Sequence, residues 1–156
     1  MRWNTILVAH DFSQSAEHAT DIACHEARIH GARVVILHVV ELLPHFGHET
    51  SMMTIPGTST QISVLRYHMQ RAEAELAALV SRLETDGLEV STVIRNGVPV
   101  DEIRDFAATE LIDLVVVGTH GRSGIRRLLV GSVAERLVRS SSVPVMTIRH
   151  PDASES

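Results

Sequence analysis

Five short strand-like runs recur along this chain: the largely aliphatic Thr5–Ala9, Arg33–Val40, Leu114–Val117 and Val143–Ile148, and the partly alternating Val90–Ile94. Between them lie segments whose apolar residues repeat at helical spacing. A short apolar run bounded by turn residues reads as a buried strand, and a three-and-four spacing reads as a helix face. Strictly alternating strands and helices build a parallel sheet with helices on both faces. Right-handed crossovers then bring every strand-to-helix loop to one side of the sheet. With 156 residues the chain forms one domain, expected over residues 1–150, followed by a polar tail, 151–156. Hydrophobic residues make up 44% and aromatics only 3%. Such an aliphatic core suits a buried parallel sheet better than an aromatic-rich sandwich.

The first helix is expected after Ser13, a helix N-cap residue, with Glu17 in its early turns where the dipole favours negative charge. Ala16, Ala19, Ala23 and Ala27 give it a small-residue face that can lie close to a sheet, and Gly31 suits its end. Glu41 to Thr60 has no clear period and carries Pro44, Gly47, Met52, Met53, Pro56 and Gly57. It reads as a long loop, either a flap beside a binding site or a segment without a role. From Ile62 a second helical stripe runs through Leu65, Met69, Ala72, Leu76, Leu79 and Leu83. Its length suits a helix on a sheet better than a coiled coil. Pro99 opens a third helix with Ile103, Phe106 and Ala107 on one face. Gly131 to Arg139 is the fourth, with Val133, Ala134, Leu137 and Val138 expected inward. Pro144 cannot donate to a ladder, which puts the last strand at an edge or Pro144 at its start.

Val115 to Ser132, VVVGTHGRSGIRRLLVGS, is the chemically informative stretch. A strand runs into a glycine-rich turn, and Gly131-Ser132 then opens a helix. Backbone amides in such a turn can face an anion, and glycine lets phosphate oxygens approach without a Cβ in the way. The spacing Gly118-x2-Gly121-x2-Gly124 is not the dinucleotide fingerprint G-x-G-x-x-G. Nor is it a P-loop, and the chain has no lysine, all 14 of its basic residues being arginine. P-loop chemistry and lysine Schiff bases are therefore excluded. The stretch reads as a nucleotide phosphate cradle.

Gly118-x2-Gly121-x9-Gly131-Ser132 resembles the ATP-binding signature of the universal stress protein family. Ile6 to Ala19, Val34 to Glu41 and Gly131 to Arg149 resemble that family as well, so the likeness spans nearly the whole chain. It implies an open five-stranded parallel sheet of order 3-2-1-4-5, adenine-nucleotide α-hydrolase-like. The loops after strands one and four would then lie side by side at the switch point, where such sheets bind ligands.

The resemblance also implies a nucleotide-binding set. Ala9, His10 and Val39 would lie around the adenine, with Val117 also among the nucleotide-binding residues, although His10 departs from the small or β-branched residue common in the family. Asp11 would meet ribose hydroxyls or a Mg²⁺ held by the nucleotide. By position alone, Asp11 reads rather as a loop carboxylate capping the next helix, and it is the resemblance that favours the nucleotide contact. Gly118 would let the backbone pass close to the ribose. Gly121, Arg122, Gly131, Ser132 and Val133 would present amides to the phosphates. At most one of Arg122, Arg126 and Arg127 is expected to pair with phosphate.

The implied function is an ATP-binding module, taking ATP, or AMP or ADP, with Mg²⁺, whose bound state is read by an unidentified protein partner in stress response. One alternative is a slow ATPase or autophosphorylating enzyme of the adenine-nucleotide α-hydrolase group. No general base or nucleophile constellation supports it. Another is a dimeric scaffold without nucleotide, whose mark would be substituted glycines. The ten histidines include His10, His38 and His120 near the strand ends and His45 and His48 in the long loop. None has metal-motif spacing, and zinc is not expected. A net charge of −5 without charge runs argues against nucleic acid. The single cysteine, Cys24, and the lack of a leader or of 18 apolar residues in a row point to a cytoplasmic protein outside the membrane. A homodimer through Val143–Ile148 is the assembly the resemblance implies.

Overall fold

The computed structural model describes residues 2–41, 51–83, 87–119 and 131–149. In chain order the elements are β1 (Thr5–Ala9), α1 (Gln14–His30), β2 (Arg33–Val40), β3 (Met52–Thr54), β4 (Gln61–Ser63) and α2 (Val64–Leu83). β5 (Val90–Asn96), α3 (Pro99–Thr109), β6 (Leu114–Gly118), α4 (Ser132–Ser140) and β7 (Val145–Ile148) follow. Five strands form one sheet of order β5-β2-β1-β6-β7. Every neighbouring pair in it is parallel. Counted along the chain, those five strands stand in the order 3-2-1-4-5, as the resemblance implies. The polar tail lies outside the described residues.

Side chains alternate across the sheet. Ile6, Val8, Val34, Ile36, Leu114 and Val116 face one layer with Ala19, Ala23 and Ala27 of α1 and Leu76, Leu79 and Leu83 of α2. Leu7, Ala9, Val35, Leu37, Val115 and Val117 face the other layer, with Val100, Ile103 and Phe106 of α3 and Ala134 and Leu137 of α4. The first two crossovers thus cover one face and the last two the other, so the chain reverses direction across the sheet between β1 and β6. Each fully buried Val, Leu or Ile is worth roughly 1.5–3 kcal/mol relative to exposure. The helix ends follow their capping residues. Ser13 accepts from the Ala16 amide at 3.2 Å, and Gly31 closes α1 in the left-handed conformation, φ +66°.

The structure departs from four expectations. Glu41–Thr60 is not structureless throughout, because β3 and β4 form an antiparallel hairpin pairing Met53 with Ile62. Its turn is Ile55-Pro56-Gly57-Thr58. Gly57 sits at φ +80°, and the Thr58 amide donates to the Ile55 carbonyl at 3.0 Å, the type II pattern that a Pro-Gly pair favours. Residues 42–50 lie outside the described part. The second helix therefore starts at Val64 rather than Ile62, with the Ser63 hydroxyl accepting from the Arg66 amide at 3.2 Å. The last strand starts at Val145, because the amide and carbonyl of Val143 are both tied to the Ser141 hydroxyl in a turn. Finally, Val138 is 57% exposed rather than inward. The short α4 lies over the sheet margin, and its buried residues are only Ala134 and Leu137.

Candidate functional site

β1 and β6 are hydrogen-bonded neighbours, with Ala9 paired to Val117 at their carboxyl ends. From there the chain leaves β1 into α1 on one face and β6 toward α4 on the other. The divergence opens a crevice at the switch point of the sheet. Ala9 and Val117 are buried in the α3/α4 layer, and half-buried Val39 packs against the same cluster. Three of the predicted residues thus form one apolar wall.

His10 belongs to the opposite layer. Its ring is buried, and Nδ1 lies 3.1 Å from the Thr20 hydroxyl of α1. That hydroxyl donates to the Ala16 carbonyl at 2.8 Å, so its oxygen accepts and the imidazole carries its proton on Nδ1. Burial pushes the His10 pKa below its ordinary value, against the opposing pull of Asp11 and Glu17. The imidazole is a neutral packing element under the crevice floor, where the sequence left stacking on a base open. His38 Nδ1 donates to the His10 carbonyl at 2.8 Å, tying the end of β2 to that of β1.

Asp11 does what its position suggested, through an intermediary. Its Oδ1 accepts from the Ser13 amide at 3.1 Å and from the Ser13 hydroxyl at 2.5 Å, and Ser13 caps α1. Among the described residues, its Oδ2 has no hydrogen-bond partner.

The β6 side is held by backbone contacts. A Cβ on Gly118 would lie 2.6 Å from Ser15 Oγ and 2.8 Å from the Ser15 carbonyl carbon, so this glycine lets α1 close onto β6. That accounts for Gly118 by packing alone. The Thr119 amide donates to the Ile148 carbonyl at 2.8 Å, and the Thr119 carbonyl accepts from the Gly131 amide at 2.6 Å. The Gly131 amide, expected to face phosphates, is therefore already committed. The amides of Ser132 and Val133 open the first turn of α4, where backbone donors have no intrahelical acceptor. Gly121 and Arg122 lie outside the described residues, as do His45, His48, His120, Ser123, Arg126 and Arg127.

Sequence reasoning missed Phe12, Ser15, Thr20 and Thr119. A residue at positive φ has no compositional mark unless it is glycine, and Phe12 stands at φ +62°. Among the described residues, no three of His, Cys, Asp and Glu converge as metal ligands, and no helix is long and apolar enough to cross a membrane. A cavity of about 340 Å³ lined by Arg28, Gly31, Arg33, Gly87 and Glu89 sits at the other end of the sheet, away from this crevice.

The open parallel sheet, with its fourth strand beside its first and helices on both faces, is of the adenine-nucleotide α-hydrolase-like class of α/β protein. Within it, the chain belongs to the universal stress protein family, whose model matches residues 2–149. It is 31% identical over 150 residues to a universal stress protein of Thermus aquaticus, covering 94% of this chain and 99% of the relative. A universal stress protein solved in complex with dAMP, from Archaeoglobus fulgidus, is 27% identical. It matches with a TM-score of 0.65 over 95% of this chain and 99% of its own. A universal stress protein solved in complex with cAMP is 25% identical, with a TM-score of 0.67 over 96% of this chain and 98% of its own.

Proposed function

We propose that this protein binds an adenine nucleotide in the β1/β6 crevice and acts as a nucleotide-responsive binding module in stress response. What supports the reading is where three features fall along the sheet: Ala9, Val39 and Val117 share one face at the carboxyl ends of their strands, Asp11 follows β1, and the opening turn of α4 follows β6. The dAMP and cAMP complexes of its structural relatives support adenine as the base.

The wall receives the base, Asp11 Oδ2 accepts from a sugar hydroxyl, and the Ser132 and Val133 amides donate to phosphate. One helix terminus is worth about 0.3–1 kcal/mol toward an exposed anion, so the affinity is shared among several contacts. With Gly131 spent on Thr119, further phosphate donors come from the Gly121–Arg122 segment. ATP is the proposed resident nucleotide. Mg²⁺, where present, rides mainly on the phosphates and meets one carboxylate, Asp11, as is usual for that ion. The proposed domain is residues 1–150, and it pairs with a second copy through the β7 edge of the sheet.

The test is to denature freshly purified, unsupplemented protein and identify what is released by mass spectrometry, beside Asp11→Ala. Adenine nucleotide from the native protein, and much less from the variant, is the expected result. No released nucleotide, together with no binding of added AMP or ATP–Mg²⁺, overturns the reading.

A further inference from the structure

Phe12 is a bulky residue at φ +62°. Left-handed backbone costs a non-glycine residue on the order of 1–2 kcal/mol, and it persists only where the surroundings enforce it. Among the described residues, two imidazoles pack against this residue's ring. The Phe12 ring meets His10 edge-on, with centroids 5.2 Å apart, and leans on His38 at 4.6 Å. Neither imidazole is free to move away. His10 is bonded to Thr20, and His38 is bonded to the His10 carbonyl. Phe12 also packs against the α1/α2 core cluster.

The consequence falls on Asp11. The bond from the Ser13 amide to Asp11 Oδ1 closes a small ring that spans only the backbone of Phe12. Rotation at Phe12 carries Ser13 away from Asp11, opens that ring and leaves the direction of the carboxylate unset. One oxygen of Asp11 is anchored by this turn, and the other carries no bond among the described residues.

We infer that Phe12 is a positioning residue: its left-handed backbone, held by the His10 and His38 rings, aims the Asp11 carboxylate at the sugar hydroxyls of a bound nucleotide. This rests on the proposed nucleotide site and adds to it the device that pre-sets its carboxylate.

The test compares AMP with 2′,3′-dideoxy-AMP by titration calorimetry on the wild type, Phe12→Ala, Phe12→Gly and Asp11→Ala. Phe12→Ala removes the clamp and leaves a residue that resists positive φ. It is expected to weaken AMP binding roughly fivefold or more, and dideoxy-AMP binding by less than twofold. Phe12→Gly removes still more packing but adopts the left-handed turn at no steric cost. It is expected to bind AMP at least threefold more tightly than Phe12→Ala. A purely packing role gives the opposite order, with glycine weaker than alanine, and overturns the inference. So does equal loss for AMP and dideoxy-AMP. If the wild type binds AMP and Asp11→Ala weakens it while Phe12→Ala does not, the inference fails and the nucleotide site stands. If the wild type binds neither nucleotide, both fail.

Discussion

The amide of Gly131 donates to the carbonyl of Thr119 at 2.6 Å, and a Cβ on Gly131 would lie 2.7 Å from that same oxygen. The end of β6 and the start of α4 are thereby pinned together, which brings the first turn of α4 to the crevice. Gly131→Ala has to separate them. The expected loss is about 1–3 kcal/mol of stability, typical of overpacking against rigid backbone. Urea unfolding measures it, and AMP affinity should fall in parallel because the Ser132 and Val133 amides move.

Gly118 makes a similar demand from the other layer. Its missing Cβ would meet Ser15 at the hydroxyl, the carbonyl carbon and the carbonyl oxygen, at 2.6, 2.8 and 2.9 Å. Gly118→Ala should therefore destabilise by about 1–3 kcal/mol. Ser15→Ala in the same chain should not rescue it, since two of the three obstructing atoms are backbone. Recovery of most of the loss in the double variant would show that only the hydroxyl is in the way.

The buried His10 predicts a pH dependence with a definite sign. Its folded pKa is lowered, chiefly by burial, so below the ordinary histidine range the unfolded chain binds the extra proton. The neutral imidazole contributes stability that is fully present above about pH 6.5 and is lost as the pH falls toward the folded value. His10→Asn keeps an N–H near the Nδ1 position for Thr20 but has no titration. The stability difference between wild type and variant should shrink or reverse between pH 7.5 and pH 5 in urea melts. A difference that is flat with pH contradicts the assignment.

At the opposite end of the sheet, Asp113 Oδ2 accepts from the amides of Asn4 and Thr5 at 2.7 and 2.9 Å. These bonds hold its pKa below the ordinary carboxylate value. Asp113→Ala should cost about 1 kcal/mol, as the loss of a cap does. The contribution is present above about pH 4 and disappears as the carboxylate protonates on further acidification. Thermal melts at pH 7 and pH 3 should show a wild-type advantage at the first that is smaller at the second.

The layout of the sheet was legible in the sequence because four of its strands are short, largely aliphatic runs, β5 alternates in part, and each main helix carries its own signal. Ser13, Gly31 and Pro99 marked helix ends through local hydrogen bonding and backbone geometry, which sequence encodes directly. The strand order was not in the periodicity and came with the family resemblance. The β3–β4 hairpin was hidden because three-residue strands have no measurable alternation, although Pro56-Gly57 was the turn signal to read.

At the site, Ala9, Val39 and Val117 share a face because strand alternation is exact in its period of two, and the same rule turns His10 away from them. Gly131 shows what spacing conceals. A glycine matched to a phosphate-binding motif is here also demanded by a backbone contact, and its amide is already bonded. Neither fact can be read without knowing where Thr119 comes to rest.

The most direct measurement is an amide chemical-shift titration of the assigned protein with AMP. A nucleotide site between β1 and β6 gives saturable shifts concentrated at Asp11, Val39, Ser132 and Val133, and attenuated in Asp11→Ala. An absence of shifts, or shifts clustered at Gly31, Arg33 and Gly87 at the far end of the sheet, would contradict a nucleotide site between β1 and β6.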